Sequence, residues 1–175
     1  MKTIIAIFVF LVCITSNAQN KYFADKTAVK LLTGLMFNEK SLDTNKMAAG
    51  FFIGAELELP MSPKSIGNSF VPYFVPELNY WQVENTKNMS IGMNLRGKFK
   101  AGSTRPYIDF GVTYNRVTLA SVEYYRAGIN GGAGIDIQLG RSNISVVIDF
   151  KARAIIYESE VRTGFSLTPG IRISF

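Results

Sequence analysis

A chain of 175 residues, 47% hydrophobic and 18% charged, has room for one domain and too much apolar content for intrinsic disorder. It holds no histidine and one cysteine, which removes the Ser-His and Cys-His nucleophile pairs and the usual zinc ligand sets. The formal charge of +6 is not gathered into one basic segment, so nucleic-acid binding has little support.

The chain opens on Met1-Lys2-Thr3, runs through the apolar stretch from Ile4 to Ile14, and reaches small residues at Ser16 and Ala18. A basic start, a short apolar middle and a small-residue cleavage site are the layout of a secretory signal peptide. A transmembrane helix would need about 20 apolar residues. Residues 1–18 are therefore expected to be a cleaved export signal, with the break between Ala18 and Gln19. Val12 is not the small residue that lipid attachment at Cys13 would want, and a mature chain of 19–175 has no cysteine and no disulfide.

Beyond Lys21 no helical face is found, and period-2 alternation takes over. The first segment, Thr27–Asn38, puts Val29, Leu31, Leu35 and Phe37 on one face. The second, Met47–Leu59, does so with Met47, Phe51, Ile53, Leu57 and Leu59, opposite Phe52, Glu56 and Glu58. The third, Val71–Val83, sets Pro72, Phe74, Pro76, Leu78 and Tyr80 against Glu77, Asn79 and Trp81; its prolines weaken its ladder. The fourth, Met89–Lys100, sets Ile91, Met93 and Leu95 against Asn94, Arg96 and Lys98. The fifth, Pro106–Arg116, sets Ile108, Phe110, Val112 and Tyr114 against Tyr107, Asp109 and Asn115. The sixth, Tyr124–Gly140, sets Ile129, Ile135 and Ile137 against Asn130 and Asp136. The seventh, Asn143–Tyr157, sets Val146, Ile148 and Phe150 against Asp149, Lys151 and Arg153. The eighth, Val161–Phe175, sets Phe165, Leu167, Ile171 and Ile173 against Arg162 and Arg172. The turns between them, such as Glu84–Asn88 and Thr118–Glu123, suit antiparallel neighbours and leave no room for parallel crossovers.

A soluble barrel points its apolar face inward; a membrane barrel points it at lipid. Short of the end positions Thr27 and Arg116, no Asp, Glu, Lys or Arg stands on the apolar face of the eight segments, and its only Ser or Thr hydroxyls are Thr33 and Thr163. The opposite face mixes long charged side chains with many glycines, among them Gly54, Gly92, Gly132 and Gly134. Glycine weakens a water-exposed strand but makes room for large neighbours inside a narrow barrel. The last segment, with Phe165, Leu167, Ile171, Ile173 and Phe175 on one face, resembles the C-terminal signal read by the outer-membrane barrel insertion machinery. Tyr80, Phe99, Tyr114, Tyr125 and Phe175 near the segment ends fit aromatic girdles.

With stretches such as Pro106-Tyr107-Ile108-Asp109-Phe110-Gly111 and Leu167-Thr168-Pro169-Gly170-Ile171-Arg172, residues 19–175 resemble small outer-membrane barrels of the OmpA-transmembrane and OmpX kind, and the outer-membrane β-barrel domain family of Bacteroidota. The resemblance implies an all-β fold, an antiparallel up-and-down eight-stranded transmembrane β-barrel, in the outer membrane of a Gram-negative envelope. Its partners would be outer-membrane lipids, lipopolysaccharide, the barrel insertion machinery and, as an open slot, another envelope protein. The connecting loops here are short where OmpX-type barrels have long outer loops, which speaks against an adhesive role carried by loops.

On this parity the lumen holds Glu56, Glu58, Glu77, Asp109, Asp136 and Asp149, against Lys30, Arg96, Lys98, Lys151, Arg153, Arg162 and Arg172. An eight-stranded interior is just wide enough to be filled by side chains, and buried charges must pair. The expected result is a charge network that plugs the barrel, with a narrow ion path or a secretion-assembly role as the alternative. A soluble secreted barrel for a hydrophobic ligand is the second alternative. Glu56 and Glu58 share a face as a catalytic carboxylate pair would, but the strand context favours packing, so no catalytic residue, cofactor or metal is expected. Lys87, Arg105, Arg126, Arg141 and Arg162 near segment ends read as interfacial anchors facing lipid phosphates.

Overall fold

The computed structural model of the protein describes residues 26–40, 43–61, 70–99, 101, 103–140, 142–158 and 160–175. The alternating segments form eight strands: β1 (Ala28–Lys40), β2 (Asp43–Pro60), β3 (Phe70–Val83), β4 (Thr86–Phe99), β5 (Thr104–Leu119), β6 (Val122–Gln138), β7 (Ile144–Ile156) and β8 (Val161–Ser174). Each is antiparallel to its neighbours in sequence, and β1 pairs back onto β8. The sheet is thus a closed barrel without a free edge. The expected export signal, 1–18, and Arg141 lie outside the described residues.

The faces are inside out relative to a water-soluble protein. Leu31, Met93, Ile108, Phe110, Val112 and Ile129 point outward and are more than half exposed, while Lys30, Glu56, Arg96, Asp136 and Lys151 are buried in the lumen. An apolar girdle of this extent is stable only against lipid or another apolar surface. Leu57 has the outward parity and is nevertheless buried.

The prolines of β3 act locally. The strand pairs with β4 along its whole length, from Phe70↔Phe99 to Val83↔Thr86. On its other side the ladder to β2 breaks between Glu56↔Glu77 and Leu59↔Phe74, where Pro76 has no N–H to donate.

Two hairpins are tighter than the composition of their turns suggests. β3 and β4 extend to Val83 and Thr86, and β5 and β6 to Leu119 and Val122. Glu84 has φ 51°, and Ala120 and Ser121 have φ 47° and 71°. Positive φ at both central residues, as at Ala120-Ser121, is the type I′ pattern that matches strand twist, adopted there without the usual Asn or Gly; at Glu84-Asn85 only the first central residue has positive φ.

The inward glycines stand opposite large side chains. Gly134 pairs with Tyr107 and Gly92 with Glu77. A Cβ at Gly92 would lie 2.7 Å from Glu77 Oε1, so the carboxylate occupies the space a side chain would need.

Candidate functional site: the barrel lumen

The β1–β2, β3–β4, β5–β6 and β7–β8 hairpins lie at one end of the barrel, and the first and last described residues at the other. The lumen is charged toward the second end and aromatic toward the hairpins.

The charged half is built around Arg96, which β4 directs inward. One terminal nitrogen of its guanidinium donates to Glu56 Oε2 and Glu58 Oε1, each at 2.7 Å. The other donates to Glu56 Oε1 at 3.1 Å and to Asp109, and Nε donates to Asp109 Oδ2 at 3.1 Å. A planar fork of fixed donors suits this arrangement, since each face of the guanidinium edge meets a carboxylate. From β7, Lys151 Nζ reaches Glu77 Oε2 at 2.8 Å, Glu56 Oε1 at 3.0 Å and Asp109 Oδ2 at 3.5 Å.

Nearer the end of the barrel, Lys98 Nζ lies 2.6 Å from Glu58 Oε2 and 2.5 Å from Asp136 Oδ2. Lys30 Nζ lies 2.9 Å from Asp136 Oδ1 and 3.2 Å from Glu58 Oε1. Arg172 Nε donates to Glu58 Oε2 at 2.6 Å. Five cations and five carboxylates thus form one connected set drawn from all eight strands. Pairing of this density is what makes burial of so many charges tolerable, because each unpaired ion would cost several kcal/mol.

Tyr107 joins the set without carrying charge. Its hydroxyl donates to Asp149 Oδ2 at 2.6 Å. Its ring lies under Lys30 Nζ at 3.9 Å and Arg96 Cζ at 4.3 Å, where the negative π face attracts cations. The charge list alone misses this residue; its inward parity opposite a glycine is the sequence signal for it.

Of the thirteen residues expected in the lumen network, the structure gathers Lys30, Glu56, Glu58, Glu77, Arg96, Lys98, Asp109, Asp136, Lys151 and Arg172, with Asp149 held by Tyr107. Arg153 and Arg162 lie elsewhere. Arg162 pairs with Glu160 at 2.6 Å near the hairpin-end mouth. Arg153, buried, stacks on Phe52 at 4.7 Å and Trp81 at 5.6 Å and donates to Ser166 Oγ at 2.6 Å. Around it Leu32, Met36, Phe52, Trp81, Val83, Val117 and Ile155 form the apolar half of the lumen. Tyr157 closes on this mouth between Arg126 and Arg162, and burial pushes its phenol above the ordinary range, so it stays neutral. The opposite mouth is a polar funnel of about 260 Å³ lined by Lys26, Arg105, Gln138 and Arg172.

Glu56, Asp109 and Asp149 each offer an oxygen within 4.8 Å of one another, but Arg96 and Lys151 already neutralise two of them. Phe165, Leu167, Ile171, Ile173 and Phe175 all face outward.

No protein-family model matches the chain, and no curated protein sequence matches it. Solved structures do match in fold. The Neisserial surface protein A is 17% identical with a TM-score of 0.66, covering 85% of this chain and 97% of that one. The N-terminal β-barrel domain of Pseudomonas aeruginosa OprF is 11% identical with a TM-score of 0.60, covering 86% and 98%. The outer-membrane enzyme PagL is 14% identical with a TM-score of 0.53, covering 85% and 99%. The chain has the fold of small outer-membrane barrels. Because an enzyme shares that fold, the fold does not settle whether a barrel is catalytic.

Proposed function

We propose that the protein is an integral outer-membrane barrel of the cell envelope, exported by residues 1–18 and closed along its axis by its own side chains. It has a structural or interaction role without catalysis. The observation that carries this reading is the coexistence of two faces. An uncharged apolar girdle faces outward, and ten mutually paired charged side chains face inward. The girdle suits lipid and lipopolysaccharide, and the outward Phe165, Leu167, Ile171, Ile173 and Phe175 suit recognition by the insertion machinery. An ion path would require the Arg96 and Lys151 pairs to part, leaving buried charges uncompensated.

Fractionation, gel migration and planar-bilayer recording test the proposal together. Expected are outer-membrane sedimentation, faster migration of the unheated barrel in detergent gels, and no stable conductance. Folded, detergent-free monomer in the periplasm would overturn the membrane assignment. Stable multi-state conductance would overturn the closed lumen.

A further inference from the structure

Arg153 is the one lumen cation that touches no carboxylate among the described residues, and it is 94% buried by its 6% exposure. Stacking on Phe52 and Trp81 and one bond to Ser166 do not discharge a buried guanidinium. Beside it, open to the hairpin-end mouth, lies a cavity of about 30 Å³ lined in part by Trp81, Asn88, Arg153 and Tyr157. That volume holds an occupant of about one or two water molecules in size. Among the described residues, three buried polar atoms of these lining residues have no hydrogen-bond partner: the donors Arg153 Nε and Trp81 Nε1 and the acceptor Asn88 Oδ1. An N–H of a cation and an N–H of an indole are both donors only, so an occupant they share must accept hydrogen bonds, and the guanidinium charge that no carboxylate offsets favours an anion over water in that place.

We infer that the hairpin-end cavity is a binding site for a small monovalent anion from solution, a halide or the carboxylate group of a small acid, held by Arg153 and Trp81. The size of the cavity excludes a bulky oligosaccharide sulfate from its floor, and its position inside the barrel keeps bilayer headgroups out. An acid longer than acetate would leave its tail in the mouth, beside Tyr157. Binding here would neutralise the one lumen cation that meets no carboxylate among the described residues and complete the closure at this end.

Trp81 is the only tryptophan of the chain, so its fluorescence reports on this cavity alone. The folded barrel in detergent is titrated with iodide at constant ionic strength, then again in the presence of acetate. Expected is a saturable quenching component whose midpoint acetate moves to higher iodide. In Arg153→Met the saturable component disappears and only linear collisional quenching remains, in a barrel whose gel migration shows that it is folded. Arg153→Lys keeps saturation with about tenfold weaker binding, the loss of roughly 1.4 kcal/mol. Linear quenching of the unaltered protein, indifference to acetate, or unchanged saturation in Arg153→Met would each overturn the site. Should Arg153→Met not fold, the acetate competition and Arg153→Lys decide.

Discussion

Lys151 and Arg153 stand two residues apart on one face of β7, roughly 7 Å along the strand, and their surroundings have nothing in common. Lys151 is shared among Glu56, Glu77 and Asp109. Arg153 lies on two aromatic rings with a single hydroxyl as acceptor. The difference marks the boundary between two ways of filling a narrow barrel. The charged half is closed by mutual pairing and resists change, since losing any ion strands its partners. The aromatic half is closed by packing and leaves one cation uncommitted, so it tolerates substitution and has capacity left for a ligand.

Several substitutions break or sharpen this contrast. The largest effect is expected from Arg96→Met, which leaves Glu56, Glu58 and Asp109 short of their common cation. Loss of one partner of a buried ion pair costs about 3–5 kcal/mol, so urea unfolding of the lipid-reconstituted barrel should shift to much lower denaturant, or folding should fail. A shift below about 1 kcal/mol would show that water, rather than Arg96, compensates those carboxylates.

The outer face comes next. Val112→Arg places a charge in the middle of the apolar girdle and should cost about 2–4 kcal/mol if that face meets hydrocarbon. The same unfolding assay in vesicles measures it, and an unchanged midpoint would mean that lipid does not cover this face. Arg153→Met is the direct counterpart of Arg96→Met. It strands no carboxylate and puts a flexible apolar side chain against Phe52 and Trp81, so stability should change by less than about 1 kcal/mol in either direction. A loss matching that of Arg96→Met would erase the distinction between the halves. The smallest effect belongs to Arg116→Gln, whose partner Glu123 is a solvent-exposed neighbour beside the β5–β6 hairpin. The unfolding midpoint should not move measurably.

Much of the architecture was legible because a strand enforces period 2. Once Leu31, Ile53, Phe110 and Ile171 were assigned to one face, the parity of Lys30, Glu56, Arg96 and Lys151 followed. Strand ends were less legible. Thr86-Lys87-Asn88 and Thr118 are polar, which reads as turn, yet the ladders run through them to two-residue connections. No Asn-Gly or Asp-Gly announces those turns: the positive φ values fall on Glu84, Ala120 and Ser121. There the closed barrel's pairing overrides the local preference of the residues.

The sequence by itself determined which side chains face in and which face out, because alternation depends only on the pleat. It also placed six acids and seven bases in one lumen. What it could not determine was height along the axis. That depends on how far each strand is staggered against the next, a property of the closed sheet rather than of any segment. Only the register brings Arg96 of β4 level with Glu56 and Glu58 of β2 and Asp109 of β5. The same register leaves Arg153 beside Phe52, Trp81 and an open cavity.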